Sequence, residues 1–213
     1  MITQRQPLTL LILAGGKSTR MGQNKAWLML DGRPLVMHVI ERVLPLVDEV
    51  IISTNQPDPF EAWLPSLIVP ACTVADRYRG AGPLAGLHAG LLAARCDLVL
   101  ALAADMPFVN PALISYLAQL ATGADVDAVV PQVPSPETGQ IGLEPLHAIY
   151  RKRCLPAIEG CLIADQRRVV SFLDRVRLRV VSPDEIRPHD PLFHSFANVN
   201  TPQDWSDAQH IGD

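Results

Sequence analysis

The chain has 213 residues, of which 48% are hydrophobic and 19% are charged, a balance typical of one globular α/β domain over residues 1–213 and not of a disordered chain. The net charge of −4, without long runs of lysine or arginine, disfavours a nucleic-acid partner, which requires a broad basic excess. No apolar stretch is long enough to span a bilayer and no export signal is visible, so we expect a cytoplasmic protein with reduced, mostly buried cysteines and no membrane contact.

Short apolar runs alternate with helical patterns along the chain, which predicts a doubly wound sheet. We expect a single-domain, three-layer α/β/α sandwich with a mostly parallel, Rossmann-like sheet. Strands are predicted at Leu8–Leu13, Glu49–Ser53, Leu67–Val69, Asp97–Ala104, Asp127–Val130, Pro145–Tyr150 and Arg177–Val181. Helices are predicted at Leu35–Val47, Pro83–Arg95, Pro111–Ala121, Arg151–Glu159, Ser171–Arg175 and Thr201–Gln209, with polar loops at Val133–Gly142 and Pro183–Asp190.

Local details of these helices make further predictions. Gly86 and Gly90 lie four residues apart in the same predicted helix, where each glycine costs ~1 kcal/mol. A close approach of this helix to the sheet would explain both. Asn110 and Thr201 directly precede helical patterns, so each is predicted as an N-cap.

The most informative segment is the loop after the first predicted strand, Leu13–Lys25, with the sequence LAGGKSTRMGQNK. The glycines at 15 and 16 let backbone N–H groups approach an anion, and the lysines, arginine and hydroxyls add donors and positive charge. A Walker A loop is excluded because Leu11 stands where its first glycine belongs, and Lys17 excludes the fingerprint GxGxxG. We therefore predict a loop that binds a triphosphate or pyrophosphate.

Asp105 follows the almost continuous apolar run of the predicted strand Asp97–Ala104. A carboxylate there is costly unless it lies at the strand's end with a cation or donor as partner. Ligands of open α/β sheets collect at the carboxyl ends of strands, so we expect Asp105 in one crevice with the glycine-rich loop. It is the predicted Mg²⁺ ligand, since Mg²⁺ beside phosphates usually takes one or two carboxylates. A helix cap is the alternative, although Asn110 is better placed for that role.

Two residues are candidates for recognition of a base or ribose. Asn55 ends the second predicted strand, and its amide can bond a base or ribose, with a plain turn as the alternative. Asp76 lies in the segment DRYRGAG ahead of the helix that begins at Pro83. A carboxylate suits guanine, which presents two adjacent N–H donors, whereas cytosine presents one exocyclic amine. A surface loop position is the alternative for Asp76.

The second half of the chain offers weaker candidates. Asn198 and Asn200 are two residues apart, so in an extended segment both side chains point toward the same substrate phosphate or metal-bound water. A capping turn with one idle asparagine is the alternative. Arg167, with the arginine that follows it, is compatible either with binding a substrate phosphate or with a solvated surface pair. His88 and His147 lack ligand-like spacing and are predicted as pocket or core residues.

The loop LAGGKSTRMGQNK resembles the motif LAGGxSxRMGxxK of nucleotidyltransferases with the glycosyltransferase-A type fold. Within that superfamily, the segments GPLAGL, DMP, PLHAIY and ANVNTPQD resemble motifs of the molybdenum cofactor guanylyltransferases, so the resemblance covers most of the chain. Two departures are visible. The spacing between Gly22 and Lys25 is shorter than in many of these proteins, and the segment before Asn198 lacks a second aromatic residue that is common there.

The resemblance implies transfer of GMP from GTP to the phosphate of molybdenum-molybdopterin, with Mg²⁺ as cofactor and pyrophosphate as leaving group. It implies catalytic roles for Lys25, Asp105 and Arg20, with Asp105 also as the metal ligand; nucleotide contacts at Leu13, Ala14, Gly15, Gly16, Lys25, Asn55, Asp76 and Asp105; and contacts to the second substrate at Gly82, Asn198 and Asn200. Delivery of the product to a molybdoenzyme apoprotein or its chaperone is a further hypothesis. The open alternatives are a molybdenum cofactor cytidylyltransferase, a sugar-phosphate nucleotidyltransferase and an inactive nucleotide-binding regulatory module.

Overall fold

The computed structural model describes residues 5–15, 25–123, 125–135, 138–201, 203, 204 and 206, with Lys25 described by its backbone alone. Its strands are β1 (Leu8–Leu13), β2 (Met29–Leu30), β3 (Arg33–Pro34), β4 (Glu49–Ser53), β5 (Ala71–Val74), β6 (Leu98–Ala103), β7 (Ala128–Pro134), β8 (Ile141–Leu143), β9 (His147–Arg151) and β10 (Leu178–Val181). Its α-helices are α1 (Leu35–Val43), α2 (Asp58–Glu61), α3 (Pro83–Ala93), α4 (Pro111–Ala121), α5 (Leu155–Ile163) and α6 (Pro183–Ile186). Short 3₁₀ helices cover Lys25–Trp27, Leu44–Leu46, Leu64–Ser66, Lys152–Cys154, Val169–Arg175 and His194–Phe196. None of the described helices is both long and apolar enough to cross a bilayer.

The main sheet is mixed but mostly parallel. Its order is β10-β7-β9-β6-β1-β4-β5, and β8 pairs with β7 outside this path. Strand β9 runs antiparallel to both of its neighbours, β6 and β7, whereas the other pairs along the path are parallel. Along this path of seven described strands, β9 is therefore the reversed one, and β8 is antiparallel to β7 beside it.

Helices cover both faces of this sheet, because alternate residues of the central strands face two hydrophobic cores. In β1, Leu10 and Ile12 pack on the side of α1 and α4, whereas Leu11 and Leu13 pack on the side of α3 and α5. Every residue of β1 and β6 is buried, which explains why both strands are almost continuously apolar. The predicted three-layer α/β/α architecture is confirmed.

Helix α3 lies unusually close to the sheet at its two glycines. A Cβ atom added at Gly90 would overlap the side chain of Leu11, and one added at Gly86 would lie 2.8 Å from the hydroxyl of Ser53. The predicted close approach is therefore confirmed. It brings the first turns of α3 against the carboxyl end of β4.

Two strand predictions were wrong. Leu67–Val69 forms bends after a 3₁₀ helix, and the strand lies at Ala71–Val74, beyond Pro70. Leu67 and Val69 still pack against the core, so their apolar character reports burial in a loop. Val133–Gly142 is not simply a loop, because β7 continues to Pro134 and pairs with β8 in a hairpin that extends beyond the main sheet.

Two helix predictions also needed correction. Residues 151–154 finish β9 and form a 3₁₀ helix, so α5 begins only at Leu155, with a proline in its first turn. The predicted loop Pro183–Asp190 contains α6, because Ser182 and Glu185 form a capping box.

Both predicted caps are confirmed. The side chain of Asn110 accepts a hydrogen bond from the N–H of Ala112 at 2.9 Å. The hydroxyl of Thr201 accepts from the N–H of Asp204 at 3.1 Å, and the Asp204 carboxylate accepts from the N–H of Thr201 at 3.0 Å. The end of the predicted helix Thr201–Gln209 lies outside the described residues.

The four cysteines are free thiols, as expected. Cys154 and Cys161 are buried in the core beneath α3 and α5, which agrees with a packing role. Cys72 is exposed on the edge strand β5 and Cys96 is half-buried, so the expectation of mostly buried thiols holds only for the first pair.

Candidate active site

The carboxyl ends of β1, β4 and β6 meet at one edge of the sheet, where the glycine-rich loop begins. The N–H of Ala14 donates to the carbonyl of Ser53 at 3.0 Å, and the N–H of Ala104 donates to the carbonyl of Leu13 at 3.3 Å. Leu13 and Ala14 are buried, whereas Gly15 is exposed. The chain thus leaves β1 between the two neighbouring strand ends and reaches the surface at Gly15.

Part of this loop lies outside the described residues, namely Gly16, Arg20 and the side chain of Lys25. Their roles therefore stay predictions. The backbone of Lys25 begins a 3₁₀ helix, and Ala26 is buried in the core under α1. The loop is consequently anchored at both ends, by the sheet at one side and by the core at the other.

The carboxylate of Asp76 is held by two side chains from the end of β4. The Ser53 hydroxyl donates to Asp76 Oδ1 at 3.3 Å, and Asn55 Nδ2 donates to Asp76 Oδ2 at 3.0 Å. The N–H of Asp76 donates in return to Asn55 Oδ1 at 3.2 Å. These bonds fix the orientation of the carboxylate and leave each oxygen a further lone pair for a ligand donor. Asn55 therefore orients the carboxylate of Asp76. The buried Ser53 does the same, a role that the sequence analysis did not predict.

The loop that carries Asp76 is also tied to the helices on the α5 side. The hydroxyl of Tyr78 donates to the carboxylate of Glu159 at 3.1 Å. Arg167 Nη1 donates to the carbonyl of Gly80 at 3.3 Å. Arg167 thus contacts the loop around Asp76. This arrangement differs from the two that the sequence left open, a contact to a substrate phosphate and a solvated surface pair.

Gly82 shapes the start of α3. Its backbone has φ 72° and ψ −159°, a conformation that is essentially restricted to glycine. Pro83 then occupies the first turn, and Gly86 lies against Ser53. The N-terminus of α3, whose free N–H groups and dipole favour an anion, therefore lies at the same edge as the glycine-rich loop.

Asp105 lies directly after β6 and is half-buried between the buried residues Ala104 and Met106. Its backbone carbonyl accepts a hydrogen bond from the N–H of Val199 at 2.8 Å. Val199 is buried, whereas Asn198 and Asn200 on either side of it are exposed. This exposure pattern agrees with the predicted placement of both asparagines on one side of the segment, which lies beside Asp105.

Glu144 is a second carboxylate near Asp105 that the sequence did not single out. It precedes β9, and because β9 is reversed, its first residues lie at the edge where the parallel strands end. The N–H of Glu144 donates to the carbonyl of Pro131 at 2.9 Å. Burial raises the pKa of Glu144; the N–H of Leu146, which donates to the carboxylate, lowers this pKa, and the charge of Asp105 raises it further.

A cavity of about 1020 Å³ opens between the β7–β8 hairpin and the segment 192–200. We call it the hairpin cavity, and its walls include Glu144, Phe193, Phe196, Asn198 and Asn200. The predicted asparagines and the unpredicted Glu144 thus share one cavity. Another cavity of about 510 Å³, beside β5, contains none of the predicted site residues.

The aromatic wall of the hairpin cavity is held in place by the buried carboxylate of Asp190. This carboxylate accepts hydrogen bonds from the N–H groups of His194, at 3.1 Å, and Ser195, at 2.9 Å. The hydroxyl of Ser195 accepts in turn from the N–H of Asn110 at 2.9 Å. Phe193, in the same turn, has φ 57° and ψ 29°, a left-handed conformation that is strained for a bulky residue.

The predictions for His88 and His147 are confirmed, since both are buried. Burial lowers the pKa of His88, and it lowers that of His147 to about 3. Neither ring nitrogen of His147 has a hydrogen-bond partner among the described residues. His147 is therefore neutral at pH 7 and packs its ring against Phe196, with 4.6 Å between the ring centroids.

The donor set near Asp105 fits a magnesium ion that is shared with phosphates. Within the described parts of the chain, no three His, Cys, Asp or Glu side chains converge into a complete metal cage. Magnesium ions beside substrate phosphates are usually held by one or two carboxylates, and water and the phosphates complete the shell. Asp105, directly after β6 and half-buried, offers one carboxylate of this kind.

A sheet of this order, with a glycine-rich loop after its first strand and a carboxylate at the end of the strand beside it, agrees with the architecture of nucleotidyltransferases. The family model described as the MobA-like NTP transferase domain matches residues 10–180. The chain therefore belongs to the MobA-like NTP transferase family.

Individual relatives extend this similarity over nearly the whole chain. A probable molybdenum cofactor guanylyltransferase from Peptoclostridium acidaminophilum is 35% identical, over 90% of this chain and 83% of the relative. Another, from Pelotomaculum thermopropionicum, is 37% identical over 93% of this chain and 90% of the relative. Among solved structures, molybdopterin-guanine dinucleotide biosynthesis protein A from Archaeoglobus fulgidus has a TM-score of 0.76 and 26% identity, covering 96% of this chain and 98% of that chain. The resemblance to this family is confirmed.

Proposed function

We propose that this protein transfers GMP from GTP to the terminal phosphate of molybdenum-molybdopterin, which gives the guanine dinucleotide form of the cofactor and pyrophosphate. The observation that carries the proposal is the carboxylate of Asp76, fixed by Ser53 and Asn55 at the edge where the glycine-rich loop begins. The names of the relatives support the same reaction.

Guanine is favoured because it offers N1–H and N2–H side by side, which matches the two oxygens of one carboxylate. Asp76 is pre-oriented by three hydrogen bonds, so little conformational entropy is lost when a base binds. A hydrogen bond to a charged group contributes about 1.5–3 kcal/mol. Cytosine offers one such donor, and a cytidylyltransferase is therefore the alternative that base selectivity would reveal.

The triphosphate of GTP is assigned to the glycine-rich loop. Backbone N–H groups at Gly15 and Gly16, the side chains of Arg20 and Lys25, and the N-terminus of α3 supply donors and positive charge for it. Asp105 is the assigned Mg²⁺ ligand. When bound, Mg²⁺ supplies neutralisation of the phosphate charge during transfer.

The chemistry needs little from the protein beyond position and charge. An oxygen of the pterin phosphate forms a bond to the α-phosphorus of GTP, and the bond from that phosphorus to the bridging oxygen of pyrophosphate breaks. A phosphate monoester has its second pKa near ~6, so the nucleophile is largely ionised at pH 7 and needs no general base. The neutral, buried His147 is consistent with this scheme.

The proposal is tested by isothermal titration of the purified protein with GTP, CTP, ATP and UTP, with and without Mg²⁺, and with Asp76→Asn in parallel. We expect GTP to bind at least about tenfold more tightly than CTP, and Asp76→Asn to remove that preference. Asp184→Asn, at a carboxylate whose side chain is 95% exposed, is the matched control and should change nothing. Tighter binding of CTP would favour the cytidylyltransferase. Failure to bind any nucleotide, or to form pyrophosphate with GTP and the molybdenum pterin, would refute the transfer.

A further inference from the structure

We propose that the hairpin cavity binds the pterin ring of the acceptor substrate and that Glu144 recognises the 2-amino and N3–H donors of this ring. Phe193 and Phe196 supply the apolar surface that a flat heteroaromatic ring requires. This inference rests on the proposed function, because it assigns the second substrate of that reaction to a place and to a specific side chain.

The location and size of the cavity support this assignment. The cavity lies beside Asp105, because Asn198 and Asn200 line it and the residue between them, Val199, donates a backbone hydrogen bond to the carbonyl of Asp105. The reacting phosphate of the acceptor has to lie near Asp105, so the rest of that molecule must extend into adjoining space. The volume of about 1020 Å³ is just above the usual range for small-molecule sites, ~300–1000 Å³, and is ample for a tricyclic pterin.

The chemistry of Glu144 matches one edge of a pterin. The carboxylate accepts one hydrogen bond, from the N–H of Leu146, and has further lone pairs available. Pterin and guanine share the same 2-amino-4-oxopyrimidine edge, with two adjacent N–H donors. One carboxylate can therefore be assigned to each ring. Asp76 serves one end of the site, and Glu144 lines the cavity at the other end.

The aromatic wall has the properties of a pre-organised surface. Asp190 fixes the turn through two backbone N–H groups, and Phe193 is kept in a left-handed conformation within it. The guanidinium of Arg187 lies 5.2 Å from the centre of the Phe193 ring. Backbone strain of this kind persists only where the surrounding structure over-determines it, and it is concentrated at functional sites.

The test is equilibrium titration of the intact protein with pterin and with lumazine, which carries a carbonyl in place of the 2-amino group. We expect the wild-type protein to bind pterin about tenfold more tightly than lumazine. In Glu144→Gln, which can still accept from the N–H of Leu146, the two ligands should differ by less than about twofold, because an amide cannot accept from both donors. GTP affinity should stay unchanged, and Glu41→Gln, on an exposed face of α1, serves as the control.

Two results with the wild-type protein and Glu144→Gln would overturn the inference. The first is equal binding of pterin and lumazine by the wild-type protein, or no pterin binding up to its solubility limit. The second is a wild-type preference for pterin that Glu144→Gln leaves intact; if that variant also lost Mg²⁺-dependent GTP binding, Glu144 would be part of the metal site.

A second variant guards against a purely structural effect of Glu144. Phe193→Gly removes the ring, and glycine accepts the left-handed conformation without strain. It should lower pterin affinity about tenfold while the thermal midpoint changes by only a few degrees; unchanged pterin affinity would contradict the inference. If GMP transfer occurs but pterin selectivity does not depend on Glu144, the inference fails and the proposed function stands. If Glu144 governs pterin binding but no GMP is transferred, the inference stands and the proposed function fails.

Discussion

The two ends of the candidate site are built in different ways. At the nucleotide end, Asp76 is held by side chains from the end of the parallel strand β4, and α3 packs directly behind them. At the hairpin cavity, Glu144 is brought in by the reversed strand β9, and the aromatic wall is a turn stabilised by Asp190. The first end depends on strand order, whereas the second depends on the direction of β9 and on a turn closed by local hydrogen bonds. Variants that affect one end and spare the other therefore test this division.

The largest expected effect comes from Asp105, which lies between the two ends. Asp105→Asn should lower kcat for GMP transfer by about 10³-fold, or ~4 kcal/mol, because it removes the assigned metal carboxylate. Binding of pterin alone should remain within about twofold of wild type, since the ring contacts are elsewhere. Steady-state kinetics across Mg²⁺ concentrations provides the measurement. A loss of less than tenfold would mean that another group binds the metal.

The next effect concerns the close contact of α3 with β4. Gly86→Val places methyl groups where the Ser53 hydroxyl now lies, so we expect a loss of about 2–3 kcal/mol in the free energy of unfolding, and weaker GTP binding. Gly160→Ala in α5 is the matched control, because its nearest neighbour is an ordinary 3.7 Å from the added Cβ. That control should gain about 0.5–1 kcal/mol. Urea denaturation of both variants would distinguish the effect of the close contact from the effect of helix propensity. Equal free energies of unfolding for Gly86→Val and Gly160→Ala would disprove the close-contact argument.

A smaller effect is expected at the hairpin end, as a dependence of stability on pH. Burial lowers the pKa of His147 from 6.5 to about 3, so between these values the unfolded chain takes up a proton that the folded protein does not. The free energy of unfolding should therefore fall by about 2 kcal/mol from pH 7.5 to pH 5 on account of His147.

The variant His147→Leu removes this titration and should flatten the pH dependence, as measured by urea denaturation at the two pH values. His38→Leu removes a histidine from α1 and is the control, for which the slope due to His147 should persist. The same slope in His147→Leu as in wild type would show that other groups cause the acid sensitivity.

The smallest expected effect is that of Ser53→Ala. The hydroxyl donates to Asp76 over 3.3 Å, and its removal should weaken GTP binding about fivefold, or ~1 kcal/mol, while pterin binding is unchanged. A merely structural role would lower the affinities for GTP and CTP equally. Titration with both nucleotides therefore decides whether Ser53 positions Asp76, because only the GTP affinity should fall if it does.

The difference between the two ends also explains what the sequence could predict. Asp105 was placed correctly because a long apolar run identifies a central strand, and the carboxyl ends of parallel strands share an edge. Gly86 was interpreted correctly because a glycine in a helix demands a packing reason. The strand at Pro145–Tyr150 was also predicted, but nothing in an apolar run reveals its direction.

Direction is a property of long-range pairing, and for that reason Glu144 was missed. Knowledge that this strand runs in reverse would have identified the segment ahead of it, which carries Glu144, as part of the site. The turn at Phe193 could not be foreseen either, because a left-handed phenylalanine is stabilised by backbone bonds to Asp190 and not by its own preference. Ser53 lies within a correctly predicted strand, and only the packing of α3 shows where its hydroxyl points.

The central position of β1 also has a consequence for biosynthesis. Its partner β6 begins at Leu98, so the pairing of Leu8–Leu13 with Leu98–Ala103 cannot form until most of the intervening chain has been translated. At translation rates of ~5–20 residues per second, that delay is roughly 5–20 s. During this time one side of β1, every residue of which is buried in the folded protein, lacks its partner on the nascent chain. Until β6 emerges, β4 is therefore the one neighbour in the main sheet that is available to β1.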